Sequence, residues 1–467
     1  DVLSFTAFGN ISRKKADDPA FSDGKEVPRG SRDIDINGRL TWTPSADHVF
    51  DLDLGYGRQR YETFDGDPER HINRATASLR HTGEWDIGTS TVTAFFENSK
   101  NEYDIVNRGS SDVIGDGITA RNFALDGKLA MPIDMMWSQD LTIGGEIRHE
   151  ELNDPDNLGK LNTVTGETGS PIARSLTAAV FIEDQIHISD QLKITGGLRY
   201  DYHDKFGSHF SPKVYVNYDL TDSWTLKAGW ARAFKAPNLR QLNPNWVTTS
   251  NSRGCGAVGG PCEMVGNPNL KPETSDSFEA GFVYDDGAWQ GGLTYFHNNI
   301  DNKITSARSA TLITPEGVKY VQQINVDRAR SQGLEGFLTI PVHPDVTWTN
   351  SFTWLFESRN LETGMPLSSD PQYSIHSNIA WQATDKLNLN TTLNYYGSQV
   401  DYVLNPETLI AQNVSPYFVM DIAAKYDFSD SFSAKAGINN LFDSQPKTES
   451  NYKENGRTYF LSATARF

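Results

Sequence analysis

The feature of this sequence that most restricts its fold is a two-residue alternation of apolar and polar side chains, which runs far longer than in an ordinary strand. In the segment Leu192–His203 the alternation continues for twelve residues, whereas strands of soluble proteins average about five or six. A tilted strand that crosses a bilayer needs about 9–11 residues. The pattern recurs in segments 50–56, 387–395, 432–438 and 459–467. Such a sheet is expected to face lipid on its apolar side and water on its charged side.

Composition excludes the main alternatives to such a sheet. Charged residues make up 22% of the chain, aromatic residues 11% and hydrophobic residues 37%. This is too polar for thick helix-packed cores and too aromatic for a disordered chain. The sequence has no run of 18 apolar residues, which excludes a transmembrane helix. The net charge of −18 argues against a nucleic-acid partner, because phosphate binding needs a basic surface.

The connections between the alternating segments differ in length in a regular way. Short turns are predicted at 44–47, 86–89, 189–190, 221–223, 285–287, 342–345, 384–385 and 429–431. Long polar loops are predicted at 14–30, 62–71, 104–118, 153–173, 233–275, 302–328, 359–370, 398–414 and 443–456. Short periplasmic turns and long extracellular loops are typical of outer-membrane barrels.

Tryptophan positions test this interpretation independently. Seven tryptophans fall within a few residues of a short turn: Trp42, Trp85, Trp137, Trp224, Trp289, Trp348 and Trp381. An aromatic belt at one membrane interface predicts this clustering. The alternative, core tryptophans of a soluble sandwich, would scatter them along the strands.

The sequence therefore predicts an all-β fold, a single antiparallel transmembrane β-barrel over residues 1–467. About twenty strands are predicted, at 2–13, 31–43, 48–62, 72–85, 90–104, 118–131, 139–152, 174–187, 191–205, 208–219, 224–234, 276–285, 288–301, 329–341, 346–358, 371–383, 386–397, 415–428, 431–441 and 457–467. An even number of strands leaves both termini on the short-turn, periplasmic side. The lumen of so wide a barrel is too large for its own side chains to fill.

The longest connection, 233–275, contains both cysteines of the chain. A loop beyond about 12–15 residues is usually functional or disordered. Cys255 and Cys262 enclose six residues rich in glycine, and we predict a local disulfide, which places the loop in an oxidising compartment. Two unlinked thiols are the alternative. A metal site is disfavoured because the segment between the cysteines has no histidine.

Several motifs identify a family. The residues Phe234-Lys-Ala-Pro-Asn-Leu, Gly266-Asn-Pro-Asn-Leu-Lys-Pro-Glu, Gly333-Leu-Glu-Gly and Ile438-Asn-Asn-Leu-Phe-Asp, with the terminal Phe467, resemble the barrel of TonB-dependent outer-membrane receptors. The resemblance covers essentially the whole chain. Finer features, at 33–37, 81–86, 198–203, 227–239, 241–245 and 252–262, resemble the ferric enterobactin receptors, which bind catecholate siderophores.

The resemblance implies a fold larger than the predicted one. Members of this family have a plugged barrel of 22 strands, and the segment up to Arg13 resembles the third of them. We therefore expect that the N-terminal plug domain and the first barrel hairpin are missing from this sequence.

The resemblance implies TonB-dependent uptake of a ferric catecholate siderophore, similar to enterobactin, across the bacterial outer membrane. A plug would couple the receptor to TonB, ExbB and ExbD, and the barrel, as a monomer, would contact outer-membrane lipid and lipopolysaccharide. A passive porin-like channel and a surface receptor for phage or colicins are the alternatives. No enzyme motif is present; a barrel protease or lipase with a catalytic cluster on its rim is the remaining enzymatic hypothesis.

A ferric catecholate is bulky, aromatic and anionic, so its site needs arginine or lysine and aromatic faces. The siderophore fills the coordination of the iron, and we expect neither a cofactor nor a metal held by side chains. The candidate ligand-binding residues are Tyr61, Arg74, Arg108, Arg240, Trp246 and Arg253, within a wider loop-side set that includes Arg58, Arg60, Arg308, Arg328, Arg330, Tyr402 and Tyr452. Tyr61 and Arg74 are chosen through the resemblance. Solvated charges or lumen ion pairs are the alternative for the arginines, and an interface anchor is the alternative for Tyr61 and Trp246.

The family motifs themselves are predicted to be structural. They comprise Lys235, Pro237, Asn267, Pro268, Leu270, Pro272 and Glu273. Proline stiffens the loop and keeps the segment before the next strand from pairing.

Overall fold

The computed structural model describes most of the chain. The described residues are 2–15, 30–62, 69–105, 113–114, 117–159, 168–250, 262–307, 310–313, 317–368, 370–405, 408–446 and 454–466.

Nearly all regular structure is β. The strands are β1 (Leu3–Lys14), β2 (Gly30–Ser45), β3 (His48–Glu62), β4 (Glu69–Trp85), β5 (Gly88–Ile105), β6 (Val113–Ile114), β7 (Ile118–Asp134), β8 (Ser138–Asn153), β9 (Ile172–His187), β10 (Leu192–His203), β11 (Gly207–Thr221), β12 (Trp224–Lys235), β13 (Val247–Ser250), β14 (Cys262–Val265), β15 (Glu273–Asp285), β16 (Gln290–Ser306), β17 (Leu312–Ile313), β18 (Lys319–His343), β19 (Val346–Asn360), β20 (Tyr373–Gln382), β21 (Leu387–Tyr396), β22 (Gln399–Asn405), β23 (Thr408–Val414), β24 (Tyr417–Ser429), β25 (Phe432–Asn439) and β26 (Thr458–Ala465). Two helical turns, α1 (Pro155–Leu158) and α2 (Leu239–Leu242), lie in loops. In the described residues, no helix is long and apolar enough to cross a membrane.

The predicted barrel topology is confirmed. Each of the twenty predicted strands coincides with a strand of the structure, and each pairs antiparallel with the next in a continuous meander. These twenty are β1–β5, β7–β12, β15, β16, β18–β21 and β24–β26.

The two faces of the meander have the chemistry that the alternation predicts. Strand β10 aligns Leu198 with Ile182 of β9 and Pro212 of β11, while the next residue, Arg199, lies on the opposite face. Leu198 is 44% exposed although it is apolar. Rows of exposed apolar side chains therefore cover the outside, as expected for contact with lipid, and charged residues line the inside.

The tryptophan belt is also present. All seven tryptophans near short turns are 38–50% exposed. The turn after Trp85 needs glycine, because Gly88 has a φ of +138° and a Cβ there would lie 2.0 Å from the carbonyl oxygen of Ala130. The belt and the tight turns together mark one end of the barrel as a membrane interface.

The loops contain more structure than the sequence predicts. Strand β18 begins at Lys319 rather than 329, and β16 ends at Ser306 rather than 301. The connection 398–414, predicted as a polar loop, forms the hairpin β22–β23. In the loop sheet, β14 pairs with β13 and runs parallel to the start of β18, which also pairs with β17. This pairing joins segments far apart in sequence, and local alternation does not reveal it.

Most of the buried apolar side chains of the described residues lie at the loop end rather than inside the barrel. One cluster joins Leu152, Leu158 and Ala173. A second joins Leu242, Leu270 and Ile304, and a third joins Cys262, Ala307 and Val321. The loops therefore have small hydrophobic cores of their own and form a packed layer above the lumen.

Candidate functional site

The candidate site lies where the lumen-facing sides of β3, β4 and β5 reach the loop end. Residues two apart on a strand share a face, so Gln59 and Tyr61 of β3 share one face. The strand register places Tyr61 opposite Arg70 and Gly57 opposite Arg74. Arg74 is thus four residues below the level of Tyr61, about 13 Å along the strand.

Arg74 forms an ion pair across this wall. Its Nη2 lies 2.8 Å from Oε2 of Glu97 on β5, and the Arg74 side chain is 57% exposed against 16% for Glu97. The guanidinium therefore has a protein partner and still faces the lumen. A ligand would compete with Glu97 for it, which weakens any single contact in this exposed setting.

The wall beside Arg74 is acidic. Asp33 accepts hydrogen bonds from the hydroxyls of Ser12 (3.0 Å) and Ser31 (3.3 Å). Asp33, Asp35 and Glu97 line the same concave patch as Arg74. Carboxylates repel an anionic ligand. Asp35 lies at the level of Arg74 and Asp33 lies two residues above it, so Tyr61 is beyond the acidic patch and Arg74 is the cation that offsets it.

Tyr61 lies at that upper level. Its hydroxyl donates a hydrogen bond of 2.9 Å to Oε1 of Gln59. The ring is half-buried, and the bond fixes its orientation without occupying its face. An oriented aromatic ring at the lumen entrance can stack on a catechol.

Arg240 lies at the joint between two loops. It is in α2, whose N-cap Asn238 forms a capping box with Gln241. Its Nη2 is 3.5 Å from Oδ2 of Asp154, a fully buried side chain, while Arg240 is 43% exposed. The ion pair connects the loop after β12 to the loop after β8.

Asp154 is a structural residue that the sequence analysis missed. Its Oδ1 accepts from Nδ2 of Asn157 at 2.8 Å, and its backbone N–H donates to the carbonyl of Pro171 at 2.8 Å. The available signal was the dipeptide Asp154-Pro155, because a proline at the first helical position after an aspartate marks a helix start.

Trp246 contributes to the same joint. It packs on the cluster of Leu152, Leu158 and Ala173, and its carbonyl accepts the N–H of Gly266 at 3.2 Å. Arg240 and Trp246 therefore contact the loop framework, whereas Tyr61 and Arg74 lie on the lumen wall. The structure does not bring these two pairs into direct contact.

The family motifs join the long loop to β18. Asn267 Nδ2 donates to the carbonyl of Gln323 at 2.9 Å, and the N–H of Lys271 donates to Oδ1 of Asn325 at 2.8 Å. Glu273, 8% exposed, accepts the N–H of Ile304 at 2.9 Å.

The remaining motif residues support the same contacts. Lys235 lies 3.5 Å from the Glu273 carboxylate. Pro237 and Leu270 are buried, Pro272 is half-buried and Pro268 is exposed. These contacts hold the long loop against β16 and β18, and they support the prediction that the motif residues are structural.

Some predicted residues are outside the described part of the chain. Arg108, Arg253 and Cys255 are among them. Cys262 is disulfide-bonded and 1% exposed; its pairing with Cys255 stays a prediction.

Charged side chains continue down the lumen. Glu146 lies between Arg148 at 3.0 Å and Arg199 at 3.5 Å, and Arg199 also pairs with Asp201 at 2.8 Å. Among the described residues, no group of three or more His, Cys, Asp or Glu side chains is arranged to hold a metal ion. The lumen wall is a polar path whose charges are largely compensated.

Comparisons with known proteins agree on one architecture. A family model described as "TonB dependent receptor-like, beta-barrel" matches residues 18–441. The ferric enterobactin receptor PirA of Pseudomonas aeruginosa is 31% identical, and the match covers 100% of this chain and 70% of the relative. The ferrienterobactin receptor of Escherichia coli K12 is 29% identical over 100% of this chain and 72% of its own length. A crystal structure of a mutant ferric enterobactin receptor (PfeA) of P. aeruginosa in complex with enterobactin superimposes with a TM-score of 0.87 at 30% identity, covering 99% of this chain and 76% of that one.

Proposed function

Because this chain belongs to the TonB-dependent receptors of the outer membrane, we propose that it takes up a ferric catecholate siderophore of the enterobactin type. The observation that carries the proposal is the likeness of the whole described barrel to a receptor crystallised with enterobactin. This likeness favours siderophore uptake over the porin-like channel and over the phage or colicin receptor. It also agrees with the family expected from the sequence motifs.

The geometry supports capture at the loop end and passage along a polar wall. The three loop clusters hold the loop layer in place above the lumen. Below it, paired charges such as Glu146 with Arg148 line the inside. A hydrated anionic complex crosses such a wall without meeting either a large apolar surface or a run of uncompensated positive charge that would trap it.

We propose that two groups of residues have different roles in ligand capture. Tyr61 and Arg74 contact the ligand on the wall of β3 and β4, with the aromatic ring above the guanidinium. Arg240 and Trp246 position the loop that closes over it, and Arg108 and Arg253 remain further candidate cations. The iron stays within the siderophore, so the protein supplies charge and stacking rather than metal ligands.

Uptake in this family depends on TonB. We propose that TonB, energised by ExbB and ExbD, acts through a plug inside the barrel, that both ends of the chain face the periplasm and that the receptor works as a monomer.

Substituting Tyr61 and Arg74 together with alanine is expected to weaken ferric enterobactin binding about tenfold. The double variant loses a stacking face and a cation, and it leaves the Glu97 carboxylate uncompensated beside an anionic ligand; a tenfold change corresponds to about 1.4 kcal/mol. Equilibrium binding to the detergent-solubilised receptor measures it.

The matched control for this experiment is Glu97→Gln. It breaks the same ion pair but retains Arg74, and we expect its affinity to equal or exceed that of the wild type. Unchanged affinity in the double variant would remove Tyr61 and Arg74 from the site. A loss in Glu97→Gln as large as that in the double variant would show that only the ion pair matters.

A further inference from the structure

The chemistry of the lumen wall differs from one part of the barrel to another. Five neighbouring strands, β16 and β18–β21, bring almost only uncharged side chains to the lumen, and we call this surface the neutral wall. It consists of the lumen-facing residues of the segments 290–298, 331–341, 347–355, 374–382 and 388–396. These segments contain a single Asp, Glu, Lys or Arg residue, which is Glu335. The neutral wall is therefore mainly a surface of hydroxyls, amides and aromatic rings.

The strand register shows which residues of these strands face the lumen. Ile379 and Leu393 are exposed apolar side chains of the outer surface, so their neighbours Asn378 and Thr392 face inward. Asn378 lies opposite Thr392 on one side and opposite Thr349 on the other. These three inward side chains form a row across β19, β20 and β21 at one level of the lumen.

The strands β2–β5 and β7–β11 line another part of the lumen with charged side chains. Three of their ion pairs are Arg39 with Asp53, Arg74 with Glu97 and Lys213 with Glu183. Each pair is electrically compensated, but each also presents a carboxylate, which repels an anion at close range. An anionic ligand that follows the neutral wall meets a single carboxylate, that of Glu335.

The polar groups of the neutral wall bind one another without charge. Asn378 and Asn390 donate to each other through their side-chain amides at 3.1 Å. Nδ2 of Asn378 also donates to the hydroxyl of Thr392 at 2.9 Å, and Nδ1 of His376 lies 2.7 Å from Oδ1 of Asn394. Exchanging one of these contacts for a ligand oxygen leaves no uncompensated carboxylate on the wall, unlike the opening of an ion pair.

Two glycines make room for aromatic rings on the same wall. A Cβ at Gly292 would lie 2.6 Å from Cε1 of Phe337, and a Cβ at Gly333 would lie 2.9 Å from Cζ of Phe296. The two rings therefore lie over the glycines of the neighbouring strands. Phe337 is 45% exposed, so its ring is accessible from the lumen. Accessible aromatic rings can stack on catechol rings.

We propose that the neutral wall is the side of the lumen along which the ferric catecholate moves after it leaves the loop end. The proposal rests on siderophore uptake as the function and narrows the polar path to β16 and β18–β21. Amide N–H and hydroxyl groups donate to the anionic catecholate oxygens, and the aromatic rings contact the catechols. Such contacts are weak and repeated, as passage requires, because a ligand that binds tightly at one point is not released.

The test measures uptake of radiolabelled ferric enterobactin by cells that carry the whole receptor and TonB. The double variant Thr349→Glu with Thr392→Glu places two carboxylates on the neutral wall, and it is expected to slow uptake about tenfold because they repel the anionic ligand. The double variant Thr349→Gln with Thr392→Gln adds side chains of similar size without charge. It is expected to keep most of the wild-type rate.

The matched control places two carboxylates on the charged part of the wall, as Thr91→Glu with Thr195→Glu. Both threonines face the lumen, since Val92 and Leu198 are exposed on the outer surface, and each lies three residues from the periplasmic end of its strand. This variant is expected to change the uptake rate less than about twofold, because an anion on the neutral wall is remote from it. All variants are expected to bind ferric enterobactin with wild-type affinity, since capture takes place at the loop end.

Three results would overturn the inference while leaving siderophore uptake in place. They are wild-type uptake by the Thr349→Glu and Thr392→Glu variant, equal slowing by the two glutamate variants, and a loss of binding in the neutral-wall variant as large as its loss of uptake. The third result would mean that the charges act on capture rather than on passage. If the wild-type receptor takes up no ferric enterobactin, the proposed function itself is wrong, and this inference is wrong with it.

Discussion

Arg240→Ala is expected to release the contact between the loop after β8 and the loop after β12. The substitution removes the guanidinium beside the buried Asp154 carboxylate, which keeps the hydrogen bond from Asn157 Nδ2 to its Oδ1. Removing one partner of a buried ion pair costs about 3–5 kcal/mol, and the 43% exposure of Arg240 reduces this through solvent screening to about 1–3 kcal/mol.

Hydrogen exchange measures this effect locally. The amide of Leu158, which donates to the carbonyl of Asp154 at 2.8 Å, is expected to lose protection, while amides of the barrel strands keep theirs. The double variant Arg240→Leu with Asp154→Leu removes both charges and is expected to recover most of the protection, because no buried charge is left.

Arg232→Ala is the matched control. Arg232 pairs with Asp276 at 2.7 Å, and the two side chains are 50% and 23% exposed. An exposed pair is worth about 0–1 kcal/mol, so little change is expected. Equal protection of Leu158 in Arg240→Ala and the wild type would mean that the ion pair does not hold the loops together.

Gly266→Ala is expected to detach the family motif from α2. A Cβ at this position would lie 2.1 Å from the carbonyl oxygen of Asn243 and 2.7 Å from that of Arg240. A backbone carbonyl cannot change rotamer as a side chain can, so the backbone around Gly266 must move away from α2. The movement breaks the 2.7 Å hydrogen bond from the N–H of Asn267 to the carbonyl of Gln241. Overpacking of this kind costs about 3 kcal/mol.

Limited proteolysis of the folded receptor measures the detachment. Cleavage within 235–272 is expected to accelerate about a hundredfold, since about 3 kcal/mol changes the open fraction by that factor. Gly196→Ala is the control, because a Cβ there meets nothing within 4 Å. If both variants are cleaved at the wild-type rate, Gly266 does not set the position of the loop.

The barrel was predictable because the sequence of each strand shows, by its own alternation of apolar and polar residues, that one face contacts lipid and the other contacts water. In β10 the alternation of Leu198 and Tyr200 with Arg199 and Asp201 is visible without any partner, and the predicted strand at 191–205 matches Leu192–His203. Lipid on one face and water on the other impose the same period on every strand. Twenty strands could therefore be found one at a time.

The loop layer was less predictable because its contacts are not local. The parallel pairing of Met264 with Val321 joins residues that are far apart in sequence, and neither segment alternates long enough to stand out. Asp154 is similar: its buried carboxylate pairs with Arg240 from another loop. The sequence predicted that arginine and aromatic residues form the site. It did not distinguish the residues that hold loops together, such as Arg240 and Trp246, from those that line the lumen.

The loop sheet has a consequence for any antibody raised against this receptor. Strands β13 and β14 come from one loop, and β17 and the start of β18 come from another. A synthetic peptide of either loop reproduces only half of this composite epitope and lacks its hydrogen-bond partners. Antibodies against this composite epitope are therefore expected to recognise the native receptor and to fail on immunoblots of the denatured chain.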